Sequence, residues 1–426
     1  MLPIFRPLKD RAVTTMWSGL AASTIGEDVF RVAVVWLAVE AAGNLAALVN
    51  AAQYGAMFAV GLLGSSIIDR WRPERAMIGA KLASAVLAIL PVLGYYVWGV
   101  SIPLLVLSVM GLAGLRMVFT PAMQSTIPTL VRDRSLLQAV NGLFDATWRI
   151  ARLVGPMIAA VLELIVPVIH FLSVTAIGFL LSGLAVYVVR QRLIDNDAPA
   201  LAVKQGLRGA FEAVTDGARL ILRERIVGIQ LLLNALVNGP WSVALQLAIA
   251  LMVKDHDPRL FGIDGLAAYA FIMGACGVGD VSGNLVAGSV RFKRPLSAMF
   301  LGYVAMGVGF ILLAVAAWTL PPGAMLPAMM LAAAIAGFGG PFFFIPMVTR
   351  MQTAYRGAEI ARVFRLRLVV MAASMLLFNL SATWLFAWFG ATMVELMCGV
   401  LIMCVGVGGY LWFLRMELRS PEQPAP

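Results

Sequence analysis

Long apolar runs alternate with short polar breaks along the whole chain. Twelve runs are of membrane-crossing length, roughly 20 residues each. They fall near 12–38, 46–68, 76–98, 101–128, 136–163, 166–189, 225–253, 264–290, 295–318, 323–349, 359–388 and 391–414. This pattern predicts an all-α membrane protein of 12 transmembrane helices in two six-helix halves. The expected organisation is an N-terminal bundle over 1–190, a cytoplasmic linker over 191–224, a C-terminal bundle over 225–415 and a polar, Pro-rich disordered tail over 416–426. Within the linker, Leu207, Phe211, Val214, Ala218 and Ile221 recur on one helical face. Lys204, Arg208, Arg219 and Arg223 flank that face and can meet lipid headgroups. Such a helix either lies in the interface and ties the halves together or packs on the base of the bundle.

The polar breaks also set an orientation. Those on the N-terminal side carry Arg70, Arg72, Arg75, Arg132, Arg134, Arg190, Arg192, Arg291, Lys293, Arg294, Arg350, Arg356, Arg415 and Arg419. The opposite breaks carry Lys254 and Arg259, mixed with Asp255 and Asp257. The positive-inside rule then puts both termini in the cytoplasm. No cleavable signal-peptide pattern opens the chain, so the first span itself is expected to direct insertion.

Composition strengthens the membrane reading and removes several others. Apolar residues are 61% of 426 and charged residues 13%, against about 25% charged in an ordinary soluble domain. The net charge of +10 raises nucleic acid as a partner, but the basic residues sit between apolar spans, so no nucleic-acid binding is expected. Cys276, Cys398 and Cys404 lie inside apolar runs, which argues against disulfides or zinc. His170 and His256 are far apart, and Gly337, Gly339 and Gly340 lie in a span rather than a phosphate-binding turn. No nucleophile–base or metal spacing appears, so neither an enzyme nor a cofactor is expected. A faint repeat joins the halves: FTPAMQSTIP (119–128) echoes FIPMVTRMQT (344–353), each ending the fourth span of its half. Repeated halves around a cavity are a transporter signature.

Charges within spans are costly and mark candidate sites. The first span holds Glu27, Asp28 and Arg31. The i, i+4 spacing lets Glu27 pair with Arg31, and leaves Asp28 on another face, unpaired and titratable. Arg116 in the fourth span has no acid near it in sequence, so its partner comes from another helix, with the first-span acids in view. Asn141, Asp145, Arg149 and Arg152 form a stripe along the fifth span. Asp145 can pair with Arg149, leaving Arg152 for an anionic group or a carbonyl, or the stripe lines a cytoplasmic gate. Asp280, among Gly277, Gly279, Gly283 and Gly288 and four residues before Asn284, is the main intramembrane acid of the second half. Glu163, His170 and Glu395 read as solvated outer ends of spans. Trp241, Gln246, Trp384, Trp388 and Phe342–Phe344 either line an apolar cavity or, more commonly for such residues, face lipid or pack.

The stretch GLLGSSIIDRWRPER, Gly61 to Arg75, resembles the signature loop between the second and third helices of the major facilitator superfamily, with Ser65 four before Asp69 and Asp-Arg followed by basics. ARLVGPMIAA, 151–160, is similar to that superfamily's fifth-helix antiporter motif, with Gly155-Pro156 kept. FRPLKDR, GLAASTIGEDVFRVAVVWLAVEAAG, PAMQSTIPTLV and LQAVNGLFDATWRIARLVGP resemble the drug–proton antiporter branch with macrolide efflux and enterobactin-type siderophore exporters. The resemblance implies the major facilitator fold and a proton-coupled exporter of an amphipathic drug-like or siderophore-like molecule by alternating access. It implies an inner-membrane location in a bacterium, protons as coupling ion, and a small-molecule substrate and membrane lipids as partners of a monomer. A lipid or lysolipid flippase and a transport-inactive membrane sensor are the alternatives. In this frame Gly61, Ser65, Asp69, Arg70, Arg72, Arg75 and Asp133 are expected to form a cytoplasmic latch. Asp69 would lie against the positive N-terminus of the eleventh span, and Arg70 or Arg75 would reach Asp133.

Overall fold

The computed structural model describes residues 3–63, 72–131, 136–193, 207–289, 294–355 and 358–419. These residues are helical throughout, apart from short turns and one isolated bridge between Leu260 and Ile263. The helices are α1 (Arg11–Ala42), α2 (Ala46–Leu63), α3 (Pro73–Trp98), α4 (Ile102–Leu130), α5 (Leu137–Glu163), α6 (Phe171–Leu193), α7 (Leu207–Arg223), α8 (Arg225–Val243), α9 (Ile249–His256), α10 (Gly265–Ser289), α11 (Pro295–Ala298), α12 (Leu301–Thr319), α13 (Pro322–Ala354) and α14 (Ala358–Arg419).

Among the described residues, nine helical stretches are long and apolar enough to cross a membrane. Two of them, of 52 and 58 residues, are each long enough to cross twice. Arg11–Leu62 runs from α1 into α2 through a turn at Gly43, whose positive φ of 52° suits a residue without a Cβ. The last stretch, Arg362–Arg419, is broken at Gly390, where φ 75° and ψ 166° are open essentially to glycine. Helix α5 is outside the nine, although its 27 residues span roughly 40 Å. Asp145, Arg149 and Arg152 make it too polar by composition.

Local chemistry explains where the helices begin. Asp10 caps α1, its Oδ1 accepting from the Ala12 N–H at 2.8 Å. Its carboxylate also accepts from Arg192 at the end of α6, at 2.7 and 3.0 Å. Prolines sit in the first turns of α3, α4 and α13, where their missing N–H would have no helical acceptor.

The chain divides into two compact units, Met1–Thr215 and Asp216–Pro426. In the first, α1 packs on α5 and α6, α2 on α4, and α3 on α4 and α6. In the second, α8 packs on α14, α10 on α13, and α12 on α13 and α14. The order of packing is thus the same in both, second helix on fourth and third on fourth and last. Small residues bring the axes together: Gly178 lies against the Ala22 carbonyl, and Gly309 against Ala332 and Ala336.

Of the two readings of the linker helix, packing on the bundle is the one observed, and the expectation for the tail changes. The end of α7 is a packed helix: Leu220 and Ile221 are buried, the Tyr355 hydroxyl reaches the Leu220 carbonyl at 3.4 Å, and Asp216 lies 4.0 Å from Arg362. The tail expected to be disordered from 416 is helical as far as Arg419. Glu417 holds it, accepting from the N–H groups of Leu296 and Ser297 at 2.9 and 3.3 Å and from the Ser297 hydroxyl at 2.6 Å.

Candidate functional site

Among the described residues, an intramembrane cluster of charged side chains gathers on α1 in the first unit. Glu27 is mostly buried and lies between two cations from other helices. Lys81 of α3 donates to Glu27 Oε1 at 3.2 Å, and Arg116 of α4 approaches Glu27 Oε2 at 3.6 Å. Lys81 is almost fully buried. Its Nζ also donates to Ser23 Oγ at 3.1 Å and sits over the rings of Phe119 and Phe179, at 4.1 and 4.9 Å. Ring faces replace part of the ammonium's lost hydration. The Arg116 guanidinium lies 4.8 Å over Trp148 of α5, and its side chain is 44% exposed.

The neighbouring acid pairs differently from the expectation. Asp28 is buried and forms an ion pair with Arg31 at 2.8 Å. The anticipated Glu27–Arg31 pair is replaced because Glu27 turns toward α3 and α4, and i, i+3 places Arg31 on the face of Asp28 equally well. Asp28 is therefore not the unpaired acid of the span. Gly155 of the antiporter-like motif packs directly on it: a Cβ at that position would collide with the Asp28 Cβ. Thr175 of α6 braces the same turn, donating to the Gly26 carbonyl at 2.8 Å. Pro156 lies inside α5 and removes one rung of its ladder.

The rest of the predicted α5 stripe is spread out. Asn141 and Arg152 are exposed, Arg149 is half-buried, and the Asp145 side chain lies outside the described residues. Trp17 of α1 is tied to the same helix, donating to Thr147 Oγ1 at 2.9 Å. Of the expected latch, Ser65, Asp69, Arg70 and Asp133 lie outside the described residues. Gly61 is half-buried in α2, while Arg72 and Arg75 are exposed at the start of α3, with Arg72 4.0 Å from Glu74.

In the second unit, Asp280 is half-buried on α10, and the Asn284 amide donates to its backbone carbonyl at 2.8 Å. Gly279 and Gly283 meet Ala334 and Phe338 of α13, so the glycines around Asp280 build that helix contact. A buried set that the sequence reading passed over lies on α8, α12 and α14. Asn234 donates to the Tyr303 hydroxyl at 2.8 Å, and Asn379 to Ser242 Oγ at 2.8 Å. Tyr303 stacks on Phe343 at 4.1 Å. Buried Arg367 lies 4.8 Å over Phe344, with no carboxylate partner among the described residues and no acceptor for its Nε.

Glu395 corrects another expectation. It is fully buried with both carboxyl oxygens lacking a hydrogen-bond partner among the described residues, not solvated at a helix end. The chain turns sharply at Gly390, and the next five residues descend into the bundle. Trp384 and Trp388 are widely exposed, as lipid-facing residues are. In the α9–α10 loop, the hydrogen bond from Arg259 holds the Asp257 carboxyl below the usual carboxylate range. No group of His, Cys, Asp or Glu suited to a metal ion occurs among the described residues.

Lys81 and Arg367 went unnoticed, and Glu395 was misplaced, for a common reason. Each is a single polar residue near the end of an apolar run, where a snorkelling side chain is the ordinary reading.

Comparison with known proteins agrees with this architecture. The PepTSo transporter of the POT family has a TM-score of 0.74 at 13% identity, over 96% of this chain and 99% of its own. The nucleoside transporter NupG gives 0.68 at 12% identity, over 95% and 98%. These likenesses show the fold alone. The multidrug efflux pump Tap of Mycobacterium tuberculosis (strain ATCC 25618 / H37Rv) is 24% identical over 322 residues, 73% of this chain and 72% of Tap. Tap of Mycobacterium bovis (strain BCG / Pasteur 1173P2) matches to the same extent. A family model described as transmembrane secretion effector matches residues 3–356. These are transporters rather than enzymes, and the chain belongs to the transmembrane secretion effector family of the major facilitator superfamily.

Proposed function

We propose that the chain is a proton-coupled exporter of an amphipathic small molecule in a bacterial inner membrane. It has twelve crossings, both termini in the cytoplasm, and works as a monomer by alternating access. One observation carries this reading: Glu27, inside the membrane, is shared by Lys81 of α3 and Arg116 of α4. Ionised groups at that depth are expensive and are retained at transport sites. A shift of α3 or α4 against α1 changes which cation compensates Glu27. The Asp28–Arg31 pair, packed on Gly155, adds a second acid at the α1–α5 contact. The multidrug efflux pump among the relatives supports the outward direction. The Gly61–Arg75 stretch, with Asp133, acts as the cytoplasmic latch of the outward-facing state.

The test is efflux of an amphipathic dye from proteoliposomes carrying an imposed proton gradient. Asp28→Asn is expected to abolish gradient-driven efflux, with some fall in unfolding temperature because Arg31 loses its carboxylate. Efflux that persists after the gradient is collapsed overturns the coupling, and normal efflux by Asp28→Asn removes that residue from it. For the latch, Asp69→Asn is expected to shift spin-label distances across the cytoplasmic side toward the inward-facing state.

A further inference from the structure

We propose that Arg116 is an anion-recognition site, and that the transported molecules carry an anionic oxygen group, carboxylate or phosphate, on an apolar aromatic body. The inference rests on the transporter reading and narrows its substrate. Three features of the first unit lead to it.

The first is where Arg116 lies. It is the fifteenth of the 29 residues of α4, at the middle of the helix. Its side chain is nonetheless 44% exposed. A guanidinium at that depth cannot face hydrocarbon, so its open side faces a hydrated space.

The second is the balance of charge. Glu27 is the acid within ion-pair reach of both Lys81 and Arg116. Asp28 is matched by Arg31. Among the described residues, the four side chains of Glu27, Lys81, Asp28 and Arg31 are neutral together, and Arg116 adds one positive charge.

The third is the strength of the contacts. Lys81 has Glu27 at 3.2 Å, Ser23 and two rings. Arg31 has Asp28 at 2.8 Å. Arg116 has Glu27 at 3.6 Å and the face of Trp148, and no other partner among the described residues. Of these cations it is the one most easily recruited by an incoming anion. A planar guanidinium offers five donors and accepts a carboxylate or phosphate in two-point fashion. Trp148 beside it supplies an apolar surface for the body of the same ligand. When an anion takes Arg116, Lys81 still compensates Glu27, so no acid is stranded. A cationic ligand would have to displace or outbid three resident cations for two acids.

Binding can be read without transport, so a failed export reading and a failed anion reading are distinguishable. The full chain is placed in phosphatidylcholine nanodiscs at neutral pH. Saturable binding of 4-(1-pyrenyl)butyrate is measured above empty discs, beside its primary amide and the corresponding primary amine. The butyrate is expected to bind about tenfold more tightly than the amide, the worth of one charge-assisted hydrogen-bond pair. The amine is expected to bind more weakly than either. Arg116→Gln should erase the butyrate's advantage over the amide, and Arg116→Lys should keep part of it. Arg116→Lys retains the charge and serves if the glutamine variant fails to fold. Equal binding of butyrate and amide by the native chain, stronger binding of the amine, or an undiminished preference in both Arg116 variants would overturn the proposal. Phosphatidylglycerol in the discs separates the two sources of anion: loss of butyrate binding assigns the site to lipid-borne phosphate, and retention to a soluble acid.

Discussion

The two units share a packing order but treat buried polarity in opposite ways. In the first, charge is answered by charge: Glu27 with Lys81 and Arg116, Asp28 with Arg31. In the second, the buried groups are mainly neutral amides and hydroxyls, Asn234 with Tyr303 and Asn379 with Ser242. Its buried arginine and glutamate, Arg367 and Glu395, have no ion-pair partner among the described residues. The repeat sharpens the contrast. Phe119 and Phe344 occupy matching positions, and each lies under a cation, Lys81 in one unit and Arg367 in the other. Among the described residues, the first of these cations also meets a carboxylate and the second does not. Duplicated architecture therefore carries a charged interior in one half and a largely uncharged one in the other, which places the proposed coupling in the first.

Four substitutions test that contrast, from the largest effect down. Lys81→Met leaves Glu27 buried with only the loosely held Arg116, and should cost about 3–5 kcal/mol. The loss is read as a fall in unfolding temperature in detergent, and adding Glu27→Gln should restore most of it. Gly155→Ala forces a methyl group against Asp28 and should cost about 1–3 kcal/mol, with a parallel loss of efflux. Tyr303→Phe removes the acceptor of the Asn234 amide and should cost about 1 kcal/mol, with efflux largely kept. Arg367→Met exchanges a guanidinium without an acid for a thioether of similar reach, and should be neutral or slightly stabilising in the same unfolding measurement. A cost for Arg367→Met equal to that of Lys81→Met would erase the difference between the units.

How much of this was legible in the sequence depends on the range of the interaction. Span positions follow from hydropathy, which is local, and the helices lie where the apolar runs are. The acids of α1 were legible as costly intramembrane charges. Their partners were not: Glu27 can meet Arg31 at i+4, and nothing local says that Lys81, 54 residues away, will take it instead. The Gly155-Pro156 motif was readable as a packing device, but its contact with Asp28 needs the crossing of α1 and α5. Glu395 was misplaced because hydropathy gives the end of a span only to within a few residues, and five residues past Gly390 separate a wet carboxyl from a buried one. The α8 amides, Gln230, Asn234 and Asn238, recur every fourth residue. That periodicity was available and would have marked the polar face of the second unit.

Glu417 has a practical meaning for anyone handling the protein. The final helical turn is the cap of another segment, since its carboxylate holds the backbone at Leu296 and Ser297. Truncation upstream of 417, or a rigid fusion partner grafted onto that turn, would release the entry to α12 some 120 residues away. Affinity tags belong beyond Arg419.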